Sequence, residues 1–278
     1  MGPCEDRLAW LYTPMALDLA LATGPRGVVY DVMDDLASFA GAPPALRQRQ
    51  DAALSAAAVV FTGGRSLQRS IASRRPDAHC FPSGVEVEHY APARAWRRPR
   101  PRPVAGYVGV VDERLDPALL GELAACLPDW DLEVVGPVLK IDEASLPTAP
   151  NLRYPGPCAY ADLPRVMAGF DVALMPFASN EATRSISPTK TLEYLAAGLP
   201  VVSTKVPDVV TDFGHVVRLA DDAEAFAAAC REALAEDGEA RQRTVAPLLH
   251  RARWDAIALR MASLLPTTSA AATQGHSA

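Results

Sequence analysis

Few cysteines, no long apolar run and no surplus of positive charge characterise this sequence. Only five of its 278 residues are cysteine, namely Cys4, Cys80, Cys126, Cys158 and Cys230, and no two stand in a Cys-x-x-Cys pair. An odd, scattered set argues against a disulfide framework and against a structural zinc site, and it fits a reducing compartment. The histidines, His79, His89, His215, His250 and His276, show no metal-ligand spacing. No stretch approaches the roughly 20 apolar residues of a membrane span. The opening Met1-Gly2-Pro3-Cys4-Glu5-Asp6 lacks the basic-then-apolar order of a signal peptide. A net charge of −6 argues against a bulk electrostatic grip on nucleic acid.

Several catalytic signatures are missing too. Gly63-Gly64 is not followed by the Lys-Ser/Thr of a P-loop, and no Gly-x-Gly-x-x-Gly follows a strand. There is no Gly-x-Ser-x-Gly elbow of a hydrolase. Asp129-Trp130-Asp131 has the Asp-x-Asp form of a metal-dependent transferase, but it precedes a strand and reads as a surface turn.

What is present is ordinary globular material, 49% hydrophobic and 22% charged. The length suits two domains or one large one. Residues 1–24 carry Leu8, Leu11, Tyr12, Met15 and Leu19 at spacings that predict a short helical piece, stopped by Gly24-Pro25. Short apolar runs at 28–30, 58–61 and 79–81 predict strands, and Pro43-Pro44 opens a helix. Residues 91–103 form a Pro/Arg-rich break, which places a domain boundary there. Beyond it, strands at 106–111, 132–136, 152–154, 171–176, 200–203 and 216–219 alternate with helices at 117–126, 163–168, 188–197 and 223–235. That alternation predicts an α/β domain with a parallel, Rossmann-like sheet covered on both faces. A last helix carries Trp254, Ile257, Leu259, Met261 and Leu264. The tail beyond Pro266 is expected to be disordered.

The richest stretch is 184–203. Ser187 suits a helix N-cap, Pro188 the first helical position and Gly198 the terminator. Leu192, Leu195 and Ala196 form the buried stripe, while Lys190 and Glu193 share the other face. A helix N-terminus following a strand favours phosphate, and Lys190 adds positive charge. Glu193, one turn further in, can accept hydrogen bonds from sugar hydroxyls. The same pattern also describes a plain capped helix with a surface ion pair.

Residues 184–203 resemble the donor-site motif of family 4 glycosyltransferases of the GT-B fold, with Glu193 ahead of an Ala-Ala-Gly-Leu-Pro-Val-Val ending. The resemblance extends over roughly 26–264. It takes in residues 59–66, Pro82-Ser83-Gly84-Val85-Glu86-Val87 (Ser83 where Asn is usual), 106–109, 132–137 and 170–177. Asp112-Glu113-Arg114-Leu115-Asp116 and Ile186-Ser187-Pro188-Thr189-Lys190 look like a subgroup found with bacterial cell-surface polysaccharide genes. The resemblance implies two Rossmann-like domains. These are a shortened N-terminal, acceptor-side one over 1–92, a linker over 93–103, and a donor-binding domain with closing helix over 104–265, followed by the tail 266–278. Fewer residues precede the linker than such a domain usually holds, so its front strand, glycine turn and helix are expected to be missing.

The activity implied is retaining, metal-independent sugar transfer from a nucleoside-diphosphate donor to a glycan or lipid-linked acceptor, with no cofactor. Its place is the cytoplasm, at the inner membrane face if the protein is peripheral. Arg114, Lys140, Lys190 and Arg184 are then assigned to the phosphates with the amides around Ser187 and Thr189. Gly109 allows close backbone approach, Glu193 holds the ribose, and one of Asp31, Asp34 and Asp35 (Asp34 for preference) orients the acceptor hydroxyl. The family's first glutamate is absent, since Ser185 stands eight positions before Glu193. That departure and the short first domain leave alternatives open. These are a non-catalytic or partner-dependent nucleotide-sugar-binding protein, completed by a second copy or another chain, or a GT-B epimerase.

Overall fold

The computed structural model describes residues 7–36, 42–180, 183, 186 and 189–266. The chain divides into two units, residues 1–81 with 258–278, and residues 82–257. The first unit runs β1 (Leu8–Leu11), α1 (Leu17–Ala22), β2 (Gly27–Val32), α2 (Pro44–Ala56), β3 (Val59–Thr62), α3 (Arg65–Ile71) and β4 (His79–Cys80). Its strands pair in parallel in the order β1-β2-β3-β4. Val29, Val60 and Leu54 are among its buried side chains.

The opening of the chain corrects the helical expectation for 1–24. Leu8, Leu11 and Met15 do have helical spacing, yet Leu8–Leu11 is a strand registered against Gly27 to Tyr30. The ladder to β2 pairs the backbone groups on one side of this four-residue apolar run, and this outweighs a weak helical propensity. Helix begins only at Leu17.

The second unit opens with α4 (Val87–Tyr90) and α5 (Pro92–Trp96), then β5 (Val104–Val108), α6 (Pro117–Cys126), β6 (Asp131–Val135), β7 (Leu152–Gly156), α7 (Leu163–Met167), β8 (Val172–Met175), α8 (Thr189–Ala196), β9 (Val201–Thr204), α9 (Pro207–Phe213), β10 (Arg218–Ala220), α10 (Ala223–Leu234) and α11 (Gly238–Arg251). A last helix, α12 (Trp254–Ser263), starts in this unit and ends in the first. The sheet is wholly parallel, in the order β10-β9-β8-β5-β6-β7. Strand order therefore reverses between β5 and β8, the switch point at whose carboxyl ends open α/β sheets bind ligands. Every residue of β5 and β8 is buried, which explains their unbroken apolar sequences. Gly106 is required within β5: a Cβ there would stand 2.3 Å from the Phe170 ring.

The Pro/Arg-rich segment is largely exposed, but Ala93 is buried in the core of the second unit, and the division into units falls after Phe81. Several of its arginines have long-range partners. Arg102 donates to Asp131 and to the carbonyls of Pro128 and Trp130, Arg94 pairs with Glu239, and the Arg165 guanidinium lies over Trp96. Asp129-Trp130-Asp131 is likewise structural, with Trp130 buried and Asp131 opening β6. The end of the closing helix, expected in the donor domain, groups with the first unit, where Arg260 lies over the Phe81 ring. Most of the tail, 267–278, lies outside the described residues. Among the described residues no helix is long and apolar enough to cross a membrane.

Candidate functional site

The chemistry gathers at the carboxyl ends of β5 and β8. β5 ends in Gly109, whose amide donates to the Val135 carbonyl at 2.9 Å. The chain then turns through Asp112 and Arg114 and is pinned against the segment following β8. The Asp116 amide donates to the Pro176 carbonyl, the Ala178 amide to the Arg114 carbonyl, and Leu115 bridges Phe177. Asn180 Nδ2 adds a bond to the Glu113 carbonyl at 2.7 Å. Arg114 is thus placed at the switch point by backbone pairing.

Its guanidinium forks onto Asp112, Nη2 to Oδ2 at 2.7 Å and Nε to Oδ1 at 2.9 Å. The Asp112 side chain is 4% exposed and that of Arg114 38%, so the carboxylate anchors a guanidinium that still reaches solvent. Burial works to raise the Asp112 pKa, but the hydrogen bonds from Arg114 outweigh it, and the group is held below its ordinary value. Arg114 is correspondingly raised by that hydrogen bond, against the opposing effect of burial. Since the folded pKa is the lower one, the pair stabilises the fold above the unfolded value of 3.8 and stops doing so as pH falls through the folded value. Asp112→Asn is therefore expected to cost about 1–2 kcal/mol at neutral pH. Thermal melts across a pH series should show the gap to wild type closing below pH 3.8; a gap that persists undiminished in acid would contradict the assignment.

Lys140 follows β6 with a φ of +63°, unusual for a residue with a side chain. It is 67% exposed, lies 4.0 Å from Glu113, and its charge acts on Asp112. On α8, Lys190 Nζ meets Glu193 Oε2 at 2.7 Å, with side chains 25% and 17% exposed. Tyr107 connects the two groups of charges. Burial raises its pKa, and its hydroxyl also feels Arg114, Asp112 and Glu193. The Cys158 thiol beyond β7, raised mainly by burial, lies within reach of Lys190.

Helix α8 is anchored to the sheet from beneath. The Val108 amide donates to Tyr194 Oη at 2.8 Å, and Tyr194 Oη donates to the Val108 carbonyl at 3.2 Å. Thr191 Oγ1 meets Met175 Sδ at 3.3 Å. The expected buried stripe of Leu192, Leu195 and Ala196 is present. Gly198 ends the helix with a φ of +74°, and the Leu199 amide returns to the Tyr194 carbonyl at 2.9 Å.

Of the sequence-derived site residues, the structure thus gathers Gly109, Arg114, Lys140, Lys190 and Glu193 around one end of the sheet, with Thr189 opening α8. Arg184 and Ser187, together with Pro188 and Ser185, lie outside the described residues. The acidic run of the first unit separates. Asp31 lies inside β2, 5% exposed, and accepts a bond from Trp10 Nε1 at 3.3 Å; burial, opposed by that bond, raises its pKa. Asp31 is thus buried within the strand, whereas Asp34 and Asp35 follow the strand's end. Sequence reasoning passed over Tyr107, Asp112, Tyr194 and Cys158. Only Asp112 had a signal, its place two residues before Arg114.

A cavity of about 820 Å³ opens beside the segment following β8, beyond β8, β9 and β10, and none of Arg114, Lys190 and Glu193 lines it. Its main polar groups are engaged in the fold. Asp116 and Asp222 cap helices, Lys205 pairs with Asp221, and Thr204 donates to the Phe177 carbonyl. The candidate site is placed by chemistry at the switch point.

Residues 102–236 match the family of glycosyl transferases group 1. The matched stretch lies within the second unit and includes Gly109, Arg114, Lys140, Lys190 and Glu193. Over 186 residues the chain is 28% identical to TuaH of Bacillus subtilis (strain 168), named provisionally as a teichuronic acid biosynthesis glycosyltransferase. The match takes in 63% of this chain and 47% of TuaH, so the chain spans about half the length of that relative. Among solved structures, HepE of Anabaena in complex with UDP and glucose is similar with a TM-score of 0.69 at 18% identity, over 92% of this chain and 77% of that one. The UDP-forming trehalose-phosphate synthase of Burkholderia xenovorans follows with a TM-score of 0.66 at 12% identity, over 92% and 72%. These neighbours are GT-B glycosyltransferases, and this chain shares their α/β fold.

Proposed function

We propose that this chain is a retaining, metal-independent glycosyltransferase that moves a sugar from a nucleoside-diphosphate donor to a glycan or lipid-linked acceptor in bacterial surface-polysaccharide synthesis, at the cytoplasmic face. The observation that carries the reading is the Lys190–Glu193 pair on α8 within the stretch that matches the group 1 family, with Tyr107 in the field of both Glu193 and Arg114. Breaking the glycosidic bond leaves negative charge on the diphosphate, which fixed cations and amides must stabilise. Arg114, Lys140 and Lys190 supply cations, with Arg184 and the Ser187–Thr189 amides as further donors. The glycine at 109 lets backbone approach the ligand. Glu193 accepts the ribose hydroxyls, and Asp34 orients the acceptor. The sugar enters already activated, so no cofactor is required.

Calorimetric titration of UDP, GDP and ADP into wild type and Glu193→Ala tests the donor site. One nucleotide is expected to bind selectively and to weaken at least about tenfold in the variant, about 1.4 kcal/mol. UDP is the first to try, because HepE holds it. Binding of none of the three would overturn the reading.

A further inference from the structure

Arg94 and Arg97, from the Pro/Arg-rich segment, and Arg241, from α11, meet at the far end of the donor helix. Arg97 Nη2 donates to the Ala197 carbonyl at 3.0 Å, and Arg241 Nη2, from α11, donates to the Gly198 carbonyl at 3.0 Å. These carbonyls stand at the negative end of α8, where a helix leaves acceptors unpaired. Gly198 is hemmed in as well: a Cβ there would stand 3.0 Å from Gln242 Nε2 and 3.4 Å from Arg94 Cδ. Arg94 pairs with Glu239, tying α5 to α11, and Glu236 lies 3.4 Å from Arg241 and 3.7 Å from Arg218. Three helices therefore close around one glycine.

Ending a helix does not require this. The Gly198 turn already closes α8 through the Leu199 amide. Two guanidinia are held here at a cost. Arg241 is 8% exposed, and the Nε atoms of Arg97 and Arg241 are both buried without a partner. Burial, and then the neighbouring charge of Arg241, pulls the Arg97 pKa down to about 10. An arrangement this costly makes sense where the exact place of the helix matters. Tyr194 and Thr191 hold α8 down on the sheet, and the two guanidinia hold its carboxyl end.

We infer that Arg97 and Arg241 are positioning residues: they clamp the carboxyl end of the eight-residue α8 and thereby set where Lys190 and Glu193 stand. The inference rests on the donor-site reading above. With about 1.5 Å of rise per residue, Lys190 stands only about 10 Å from the clamp. A shift of about 1 Å there is enough to cost a hundredfold in a preorganised site.

The test uses the full chain with Arg97→Ala, Arg97→Lys and Arg241→Ala. Nucleotide affinity is measured by calorimetry, melting temperature by circular dichroism, and amide exchange across α8 by mass spectrometry. Arg97→Ala is expected to weaken UDP at least about fivefold and to speed exchange in α8, with little change in melting temperature. Arg97→Lys, which keeps a donor for the Ala197 carbonyl, should recover most of the affinity. A lower melting temperature with wild-type affinity and wild-type α8 exchange would overturn the inference and reduce the arginines to general stabilisers. Should Arg241→Ala fail to fold, Arg97→Ala decides alone. Should wild type bind no nucleotide, the functional reading fails separately, and α8 exchange still decides the clamp.

Discussion

Lys190→Ala is expected to lower donor-dependent sugar transfer by about a hundred- to a thousandfold, the range seen when one preorganised charge-stabilising group is removed from an active site. Two things make the effect large. The cation is lost where diphosphate charge develops, and its partner is stranded. Glu193, 17% exposed, has Lys190 2.7 Å away in the folded chain. Without it, a partly buried carboxylate faces an incoming diphosphate, and like charges repel more strongly where water is scarce. The fall should appear mainly in kcat, with a smaller rise in KM, because the leaving charge is greatest at the transition state. Lys190→Arg should recover part of it, since the charge returns but the planar fork does not fit the ammonium's place. Steady-state kinetics on the full chain would check this. Wild-type turnover by the alanine variant would remove α8 from the reaction.

Gly136→Ala is the largest expected stability effect. At the end of β6 this glycine has a φ of +154°, and a Cβ there would stand 1.7 Å from the Gly109 carbonyl oxygen and 2.7 Å from its carbon. The obstacle is backbone, held by the Gly109–Val135 hydrogen bond, so no side chain can move aside. We expect a loss of about 3–5 kcal/mol in urea unfolding, at the upper end of overpacking effects. Gly156→Ala is the control. It has a φ of +86° but nothing within 4 Å of the added Cβ, so only the backbone cost of about 1–2 kcal/mol applies. Equal stability of the two variants would mean that β5 and β6 do not approach as described. The pair of glycines also bears on function, because together they bring bare backbone to the rim of the switch point.

The sequence alone determined the class of fold, the strands of the second unit and the helix that carries Lys190 and Glu193. Its strands are buried on both faces, so their residues read as short apolar runs that only a covered parallel sheet explains. Lys190 and Glu193 were legible because a one-turn spacing on a helix is fixed by local geometry. Leu8–Leu11 was misread because a four-residue edge strand carries too few residues to show its period, and its partner lies in another segment. Helix α11 went unassigned, since Pro247 reads as a breaker within it. The long-range partners of the Pro/Arg segment were not legible, because composition cannot tell a solvated guanidinium from one bonded to a distant carbonyl. Only the tertiary structure brought Tyr107 within the field of Glu193, and Arg97 and Arg241 onto the end of α8. Those contacts join residues far apart in the chain, and long-range proximity is set by how the sheet is ordered and packed, which no local spacing encodes.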